Sequence, residues 1–333
     1  MQTFAKLMKP KHTTTLFSLI HTTALSPPQL ATTPLPPSPI SSTLYDDLIQ
    51  EAGKSHDFRR LHDLLTRRIN DGCLNTNDTF RFVTNSQSTV EMLNPLFDCL
   101  VSLPEGVPRA NACNALVRRL CKVGLLNNAL QVLDEMCDRR LEHTAWSFRP
   151  VLETFVRQGE LQKAVAFLKT MKEFGVALDT GSFNCVLREY CYLGDVNHAV
   201  ELLEMMVREE GLKGDAWTYD AMVLGACKAG KVDAAMAVMR SAIDDDVKLL
   251  NLTYEHVIRA LMEDGYFEHT LKFVMVCAGR DKSFNGEMFN FLATGLIKYE
   301  RFDKAKMVVE EMSKRGLVMH KKIQEFHEMD SKE

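Results

Sequence analysis

Residues 110–144 read ANACNALVRRLCKVGLLNNALQVLDEMCDRRLEHT, and residues 145–179 read AWSFRPVLETFVRQGELQKAVAFLKTMKEFGVALD. Laid one above the other, Gly124 falls on Gly159, Ala129 on Ala164 and Met136 on Met171, so the second stretch repeats the first at a step of 35 residues. The register continues. Gly194, Gly230 and Gly265 follow at steps of 35, 36 and 35, and Ala199, Ala235 and Ala305 keep phase with Thr270 in the missing slot. An aromatic column (Phe148, Phe183, Tyr219, Tyr254, Phe289) and a late apolar column (Met206, Cys277, Met312) move with them. Four columns sharing one period, including one 36-residue step, establish an internal repeat.

Within 110–144 the apolar residues Cys113, Leu116, Val117 and Leu120 recur at helical spacing, and a second set follows at Leu126, Ala129, Leu130, Leu133 and Met136. Gly124 lies between them, where a helix can end on a positive φ. Each unit is therefore a helical hairpin, and the small Ala column lets two helices cross closely. One hairpin cannot bury both faces, so neighbours must stack. Pro150 is expected in the first turn of its helix, where a missing N–H is tolerated. The units tile as 110–144, 145–179, 180–215, 216–250, 251–285 and 286–320. Tyr45 and Phe80 extend the aromatic column backwards. Unit 42–76 fits well and 77–109 is short and degenerate, so 42–109 reads as two divergent repeats. Residues 321–333 form a polar tail or a capping helix. The fold class is all-α, a solenoid of about eight hairpins.

The chain of 333 residues holds 46% apolar and 25% charged residues, ordinary for a folded protein. No apolar run is long enough for a transmembrane helix. Lys+Arg number 40 and Asp+Glu 44, net −4, which excludes nucleic-acid binding by bulk charge and leaves a locally basic groove open. Nine cysteines with no CxxC pair argue against a disulfide framework or zinc ribbon. Residues 1–45 form a different regime. They contain no acid, three lysines (Lys6, Lys9, Lys11), fourteen Ser/Thr and seven of the eleven prolines. That composition cannot pack and matches an organellar transit peptide, here placed at 1–41. The missing Arg and the Ser/Thr content keep a plastid open beside the mitochondrion. Without residues 1–43 the chain carries 37 Lys+Arg against 44 Asp+Glu, net −7.

A 35-residue hairpin with an aromatic followed by Asn, closing its first helix near Cys-Lys-x-Gly, resembles the pentatricopeptide repeat family. The clearest matches are Asn114-Ala115-Leu116 with Leu120-Cys121-Lys122-Val123-Gly124, and Thr218-Tyr219-Asp220 with Ala226-Cys227-Lys228-Ala229-Gly230. The resemblance covers about 42–320. The 34-residue tetratricopeptide repeat, a protein binder, is the nearest competitor, and the 35-residue step favours the former. Uniform unit length resembles the P class of plant organelles. It implies a right-handed superhelical solenoid that binds single-stranded RNA, about one base per unit, with neither DNA nor a membrane as partner. Its role would lie in RNA stability, processing or translation in the mitochondrion, or alternatively the chloroplast. Other RNA-processing or ribosomal proteins would be further partners. The alternative is a protein-interaction scaffold of the same fold, for example a mitochondrial ribosome-associated component.

The resemblance assigns base reading to the residue after the aromatic, paired with the last residue of the unit. The pairs are Asp46/Thr76, Asn114/Thr144, Arg149/Asp179, Asn184/Asp215, Asp220/Leu250, Glu255/Asn285 and Asn290/His320. Only Asn184/Asp215 is a standard combination, associated with uridine. The base-reading candidates are Asn114, Thr144, Asn184, Asp215, Asp220 and Asn290. Trp146 and Trp217 occupy the second position of their units, which flanks a base in this family. They are the stacking candidates, and packing between units is the other reading. Lys54, Lys122, Arg157, Lys228 and Lys298 stand two before the unit glycine or its slot and are implied to face phosphates, while Tyr192 and Glu263 break that series. A solvated helix end is their plainer reading.

Catalytic chemistry has no signature. Cys121, Cys191 and Cys227 fall in one repeat column, so they are core or groove residues. His56 and His62 lack a metal context, the Asp244-Asp245-Asp246 run is expected in solvent at a helix end, and no phosphate-binding Gly-rich loop appears. No enzyme activity, metal or cofactor is expected.

Overall fold

The computed structural model describes residues 41–280 and 285–330. The targeting segment read at 1–41 lies outside it, apart from Ser41. The described residues form sixteen α-helices and no strand. They fall into two compact units, one ending at Leu178 and one beginning at Asp179.

The first unit contains α1 (Ser42–Lys54), α2 (Phe58–Asn70), α3 (Gln87–Val101), α4 (Val107–Lys122), α5 (Leu126–Asp138), α6 (Ala145–Arg157) and α7 (Leu161–Glu173). Short polar caps start several of them. Ser41 accepts from the Leu44 N–H, Asp57 from Arg60 and Ser86 from Thr89, each satisfying a donor the helix cannot. The apolar periodicity then decides which face is buried. Helix α4 buries Cys113, Leu116, Val117 and Leu120, and α5 buries Ala129, Leu133 and Met136. Between them Gly124 turns the chain at φ 85°.

The second unit contains α8 (Thr180–Leu193), α9 (Val196–Glu204), α10 (Ala216–Lys228), α11 (Val232–Asp244), α12 (Asn251–Glu263), α13 (Phe267–Arg280), α14 (Asn285–Lys298), α15 (Phe302–Lys314) and α16 (Lys321–Asp330). First helices of successive hairpins pack directly on one another, α10 on α8 and α12, and α14 on α12. The approach is close: a Cβ on Gly225 would lie 3.1 Å from the Cys191 Cβ, tighter than ordinary van der Waals contact. Helix α16 covers the last hairpin, with Ile323 fully buried and the Phe326 ring stacked on Phe302 at 6.1 Å.

Four features differ from the sequence reading or refine it. The degenerate segment 77–109 has one helix, not two. Residues 77–82 form turns rich in short polar side chains (Asn77, Asp78, Thr79), which favour turns over helix. The described residues thus hold seven hairpins, the single helix α3 and the terminal α16. Phe80 is still buried, and the Phe82 ring lies so close to Gly53 that no side chain fits there. Pro150 is not in the first turn: it is the sixth residue of α6, so the Trp146 carbonyl loses its i+4 donor. The 36th residue of unit 180–215 is absorbed by a single π-helical stretch, Met205–Glu209, that continues α9. Finally, the Gly column is a column of left-handed backbone, and two non-glycine residues share it, His56 at φ 55° and Glu300 at φ 56°.

Candidate nucleic-acid interface

Asn184, the fifth residue of its unit, sits one turn into α8 and reaches the start of the next hairpin. At Asn184 this placement builds a bonded set of three side chains. The Asn184 Nδ2 donates to Asp215 Oδ1 at 2.8 Å, and the Thr218 hydroxyl donates to Asn184 Oδ1 at 2.8 Å. Asp215 is also the N-cap of α10, its Oδ1 accepting from the Trp217 and Thr218 N–H groups at 2.9 and 3.0 Å. Thr218 returns the cap by accepting from the Asp215 N–H at 3.0 Å. Asn184 is buried while Asp215 is exposed. Among the described residues Asp215 Oδ2 has no bond, and one Asn184 N–H is unused. The set thus presents a donor and an acceptor side by side.

Asp46 repeats the arrangement with the opposite outcome. Thr76 donates to its Oδ2 at 2.8 Å and Thr79 to its Oδ1 at 2.9 Å. The fully buried Arg68 also donates to Oδ1 at 2.5 Å, and binds Ser42 and the Leu74 carbonyl. Arg68 stands in the slot that Met136 and Met171 fill in later units. The site is closed.

Two base-reading assignments need correction. Asp220 is 0% exposed. It accepts from Arg188 at 2.8 Å and from Thr253 at 2.8 Å, with His256 at 3.6 Å. Burial pushes its carboxyl up, but His256, Thr253 and Arg188 more than offset this and leave it below the usual carboxylate range. Nothing of the carboxylate remains for a base. Asn290 is spent as well: Nδ2 donates to the Gly286 and Val318 carbonyls and Oδ1 accepts from the His320 N–H, each at 2.8 Å. It staples the chain between α15 and α16. Asn114 and Thr144 are not bonded to each other. Thr144 is the exposed N-cap of α6, and Asn114 Oδ1 is buried with no partner.

Trp146 and Trp217 are 59% and 54% exposed, so neither ring is packed away between hairpins. The Arg149 guanidinium lies over the Trp146 ring at 4.3 Å. The cations Lys54, Lys122, Arg157, Lys228 and Lys298 are all exposed. Lys122 and Arg157 line one cavity of about 280 Å³ with Arg118, Arg119 and Glu153, a locally basic pocket on an acidic protein. In the second unit the Lys228 ammonium sits 4.7 Å from the Tyr192 ring. The cysteine column is inert: burial pushes the Cys121 thiol up to about 11 and Cys191 and Cys227 to about 12. Asp245 is not simply solvated, because the Tyr219 hydroxyl donates to it. Tyr45 and Asp71 form the same pair at 2.5 Å in the first hairpin. Among the described residues no His/Cys/Asp/Glu group could hold a metal ion, and no helix is long and apolar enough to cross a membrane.

Comparison with known proteins fits this architecture. The PPR repeat model matches residues 112–141, 147–176, 217–247 and 287–317, and a PPR repeat family model matches 178–228. A mitochondrial pentatricopeptide repeat-containing protein of Arabidopsis thaliana is 38% identical over 286 residues, covering 85% of this chain and 82% of that one. This chain belongs to the pentatricopeptide repeat family. A second mitochondrial pentatricopeptide repeat protein of the same plant is 39% identical over 298 residues, covering 90% and 85%. A more distant relative, the Arabidopsis small ribosomal subunit protein mL103, is 22% identical over 63% of this chain and 50% of that one. Among solved structures, the maize pentatricopeptide repeat protein PPR10 superposes with a TM-score of 0.54 at 18% identity, which shows the shared fold. The match covers 85% of this chain and 41% of the maize chain.

Within a pentatricopeptide repeat chain, the residues that sequence reasoning passed over are the hydroxyls one position before the aromatic. Thr79, Thr218 and Thr253 are fully buried, and each donates to the fifth residue of the preceding unit. Their signal was present as a Ser/Thr column in phase with the aromatics, continued by Ser147 and Ser182.

Proposed function

We propose that this pentatricopeptide repeat protein binds single-stranded RNA and acts in the mitochondrion in RNA stability, processing or translation, by covering RNA and recruiting other proteins. The observation that carries the reading is the Asn184–Asp215 pair, bonded at 2.8 Å and still holding an unused donor and acceptor, with the exposed Trp217 in the next turn. Base stacking on such a ring contributes about 1–3 kcal/mol per base, and the exposed cation column supplies phosphate contacts. Two mitochondrial relatives that match most of the chain support the compartment. The acid-free residues 1–41 are read as the address.

Crosslinking and immunoprecipitation from isolated plant mitochondria tests this. A small set of transcripts should be recovered, and recovery should persist after ribosomes are dissociated. Likeness to a small-subunit ribosomal protein favours a second reading, a ribosome-associated scaffold. Co-sedimentation with the small ribosomal subunit, together with no RNA affinity of the purified protein, would establish that instead. A reporter fused to residues 1–60 should enter mitochondria; reporter left in the cytosol would remove the targeting claim.

A further inference from the structure

The geometry points to Thr218 as the residue that fixes which face of Asn184 is offered to RNA, so that base choice at this repeat is set partly by the following repeat. The inference rests on the RNA-binding reading above. A buried asparagine amide can sit in two orientations that differ by exchange of O and N, and the neighbours decide between them. On one side of Asn184 is Asp215 Oδ1, an acceptor only. On the other is the Thr218 hydroxyl, whose oxygen already accepts from the Asp215 N–H at 3.0 Å. Its proton goes to Asn184 Oδ1 at 2.8 Å. Turning the amide over would set its oxygen against a carboxylate oxygen and replace the 2.8 Å bond from the hydroxyl by its longer contact to Asp215 Oδ1 at 3.1 Å. Thr218 and Asp215 thus hold the amide from both ends, which leaves one N–H of Asn184 and Asp215 Oδ2 unbonded among the described residues.

The same hydroxyl recurs where reading is closed. Thr79 donates to Asp46, and Thr253 donates to Asp220 at 2.8 Å. Thr253 is therefore a control: it is equally buried and makes the same donation, but its target carboxylate is already consumed by Arg188 and His256. Thr218 is a positioning residue and touches no base itself.

The experiment is selection from randomised single-stranded RNA with the full chain as wild type, Thr218→Val, Thr218→Ser and Thr253→Val. Wild type and Thr218→Ser should enrich one base at one nucleotide. Thr218→Val should lower that enrichment roughly five-fold, the size of one lost hydrogen bond, and leave other positions unchanged. Thr253→Val should leave the profile as in wild type even if it melts earlier. Enrichment that survives Thr218→Val, or falls equally in Thr253→Val, overturns the proposal. A second readout needs no RNA. Solvent exchange of the Asn184 side-chain amide, followed by NMR on asparagine-labelled protein, should quicken several-fold in Thr218→Val and not in Thr218→Ser. Equal exchange in all three overturns the positioning role. Absence of any enrichment by wild type, with the amide held as described, would count against RNA reading itself.

Discussion

The region around Asp46 and the region around Asn184 use the same positions to opposite ends. Both place a polar fifth residue against the last residue of its unit and a buried threonine of the next. Asp46 carries a charge, and a buried charge needs a counter-charge. Arg68 supplies it from a slot that holds methionine in the next two intact hairpins, and lies fully buried against the carboxylate. Asn184 is neutral and is satisfied by hydrogen bonds alone, which leaves a free edge. Asp220 follows the Asp46 logic with Arg188 as counter-ion. The lesson is that a carboxylate in this buried position closes its own site, whereas an amide can stay open.

Breaking the Asp46 site should give the largest effect. Arg68→Met leaves the carboxylate buried and unpaired, and should destabilise the first unit by about 3–5 kcal/mol in chemical denaturation. Adding Asp46→Asn removes the stranded charge and should recover most of that loss. A single variant as stable as wild type would mean that the ion pair does not hold the site. The next test converts the closed site into an open one. Asp220→Asn with Leu250→Asp rebuilds the Asn/Asp/Thr set one repeat later, and RNA selection should show a second enriched nucleotide next to the first. An unchanged profile would separate openness from reading.

Titration also separates these sites. The Asp220 carboxyl is held below its usual range. The stability it contributes is therefore present above about pH 4 and lost as pH falls through the lower folded value. Asp220→Asn should flatten that part of the acid melting profile. Tyr45 runs the other way. Burial and the Asp71 carboxylate push its hydroxyl up to about 12. Its contribution is present below about pH 10 and lost as pH rises from there towards 12, a loss Tyr45→Phe should not show. The smallest effect is expected at Glu300, which holds left-handed backbone at φ 56° in the glycine column. Glu300→Gly should relieve this and stabilise the second unit by about 1 kcal/mol.

The repeat, the hairpins and the glycine and aromatic columns were legible because each depends on residues within one period. Phe148, Phe183, Tyr219 and Phe289 are buried, as their column implied, and Tyr254 is half-buried. What escaped depends on partners a full repeat away. Asp220 looks like a reading residue until Arg188, one unit earlier, and Thr253, one unit later, are brought onto it. Asn290 looks free until the backbone after α15 returns to it. The missing helix at 77–82 was hidden by Phe80, which keeps its buried place in a turn. Pro150 was misplaced because α6 begins at Ala145, a full turn earlier than a proline start would need.

If RNA is bound as proposed, the exposed cations meet its phosphates, and the salt dependence of affinity reads those contacts. Binding of single-stranded RNA should be measured from low to physiological salt for the wild type and for the variant with Lys122, Arg157, Lys228 and Lys298 all changed to Gln. Each phosphate contact on a single strand adds about 0.7 to the slope of log affinity against log salt. Wild-type affinity should therefore fall steeply with salt, and the variant's slope should be flatter by up to ~2.8. Equal slopes would place RNA away from these cations, and no RNA affinity in the wild type at low salt would rule out RNA binding.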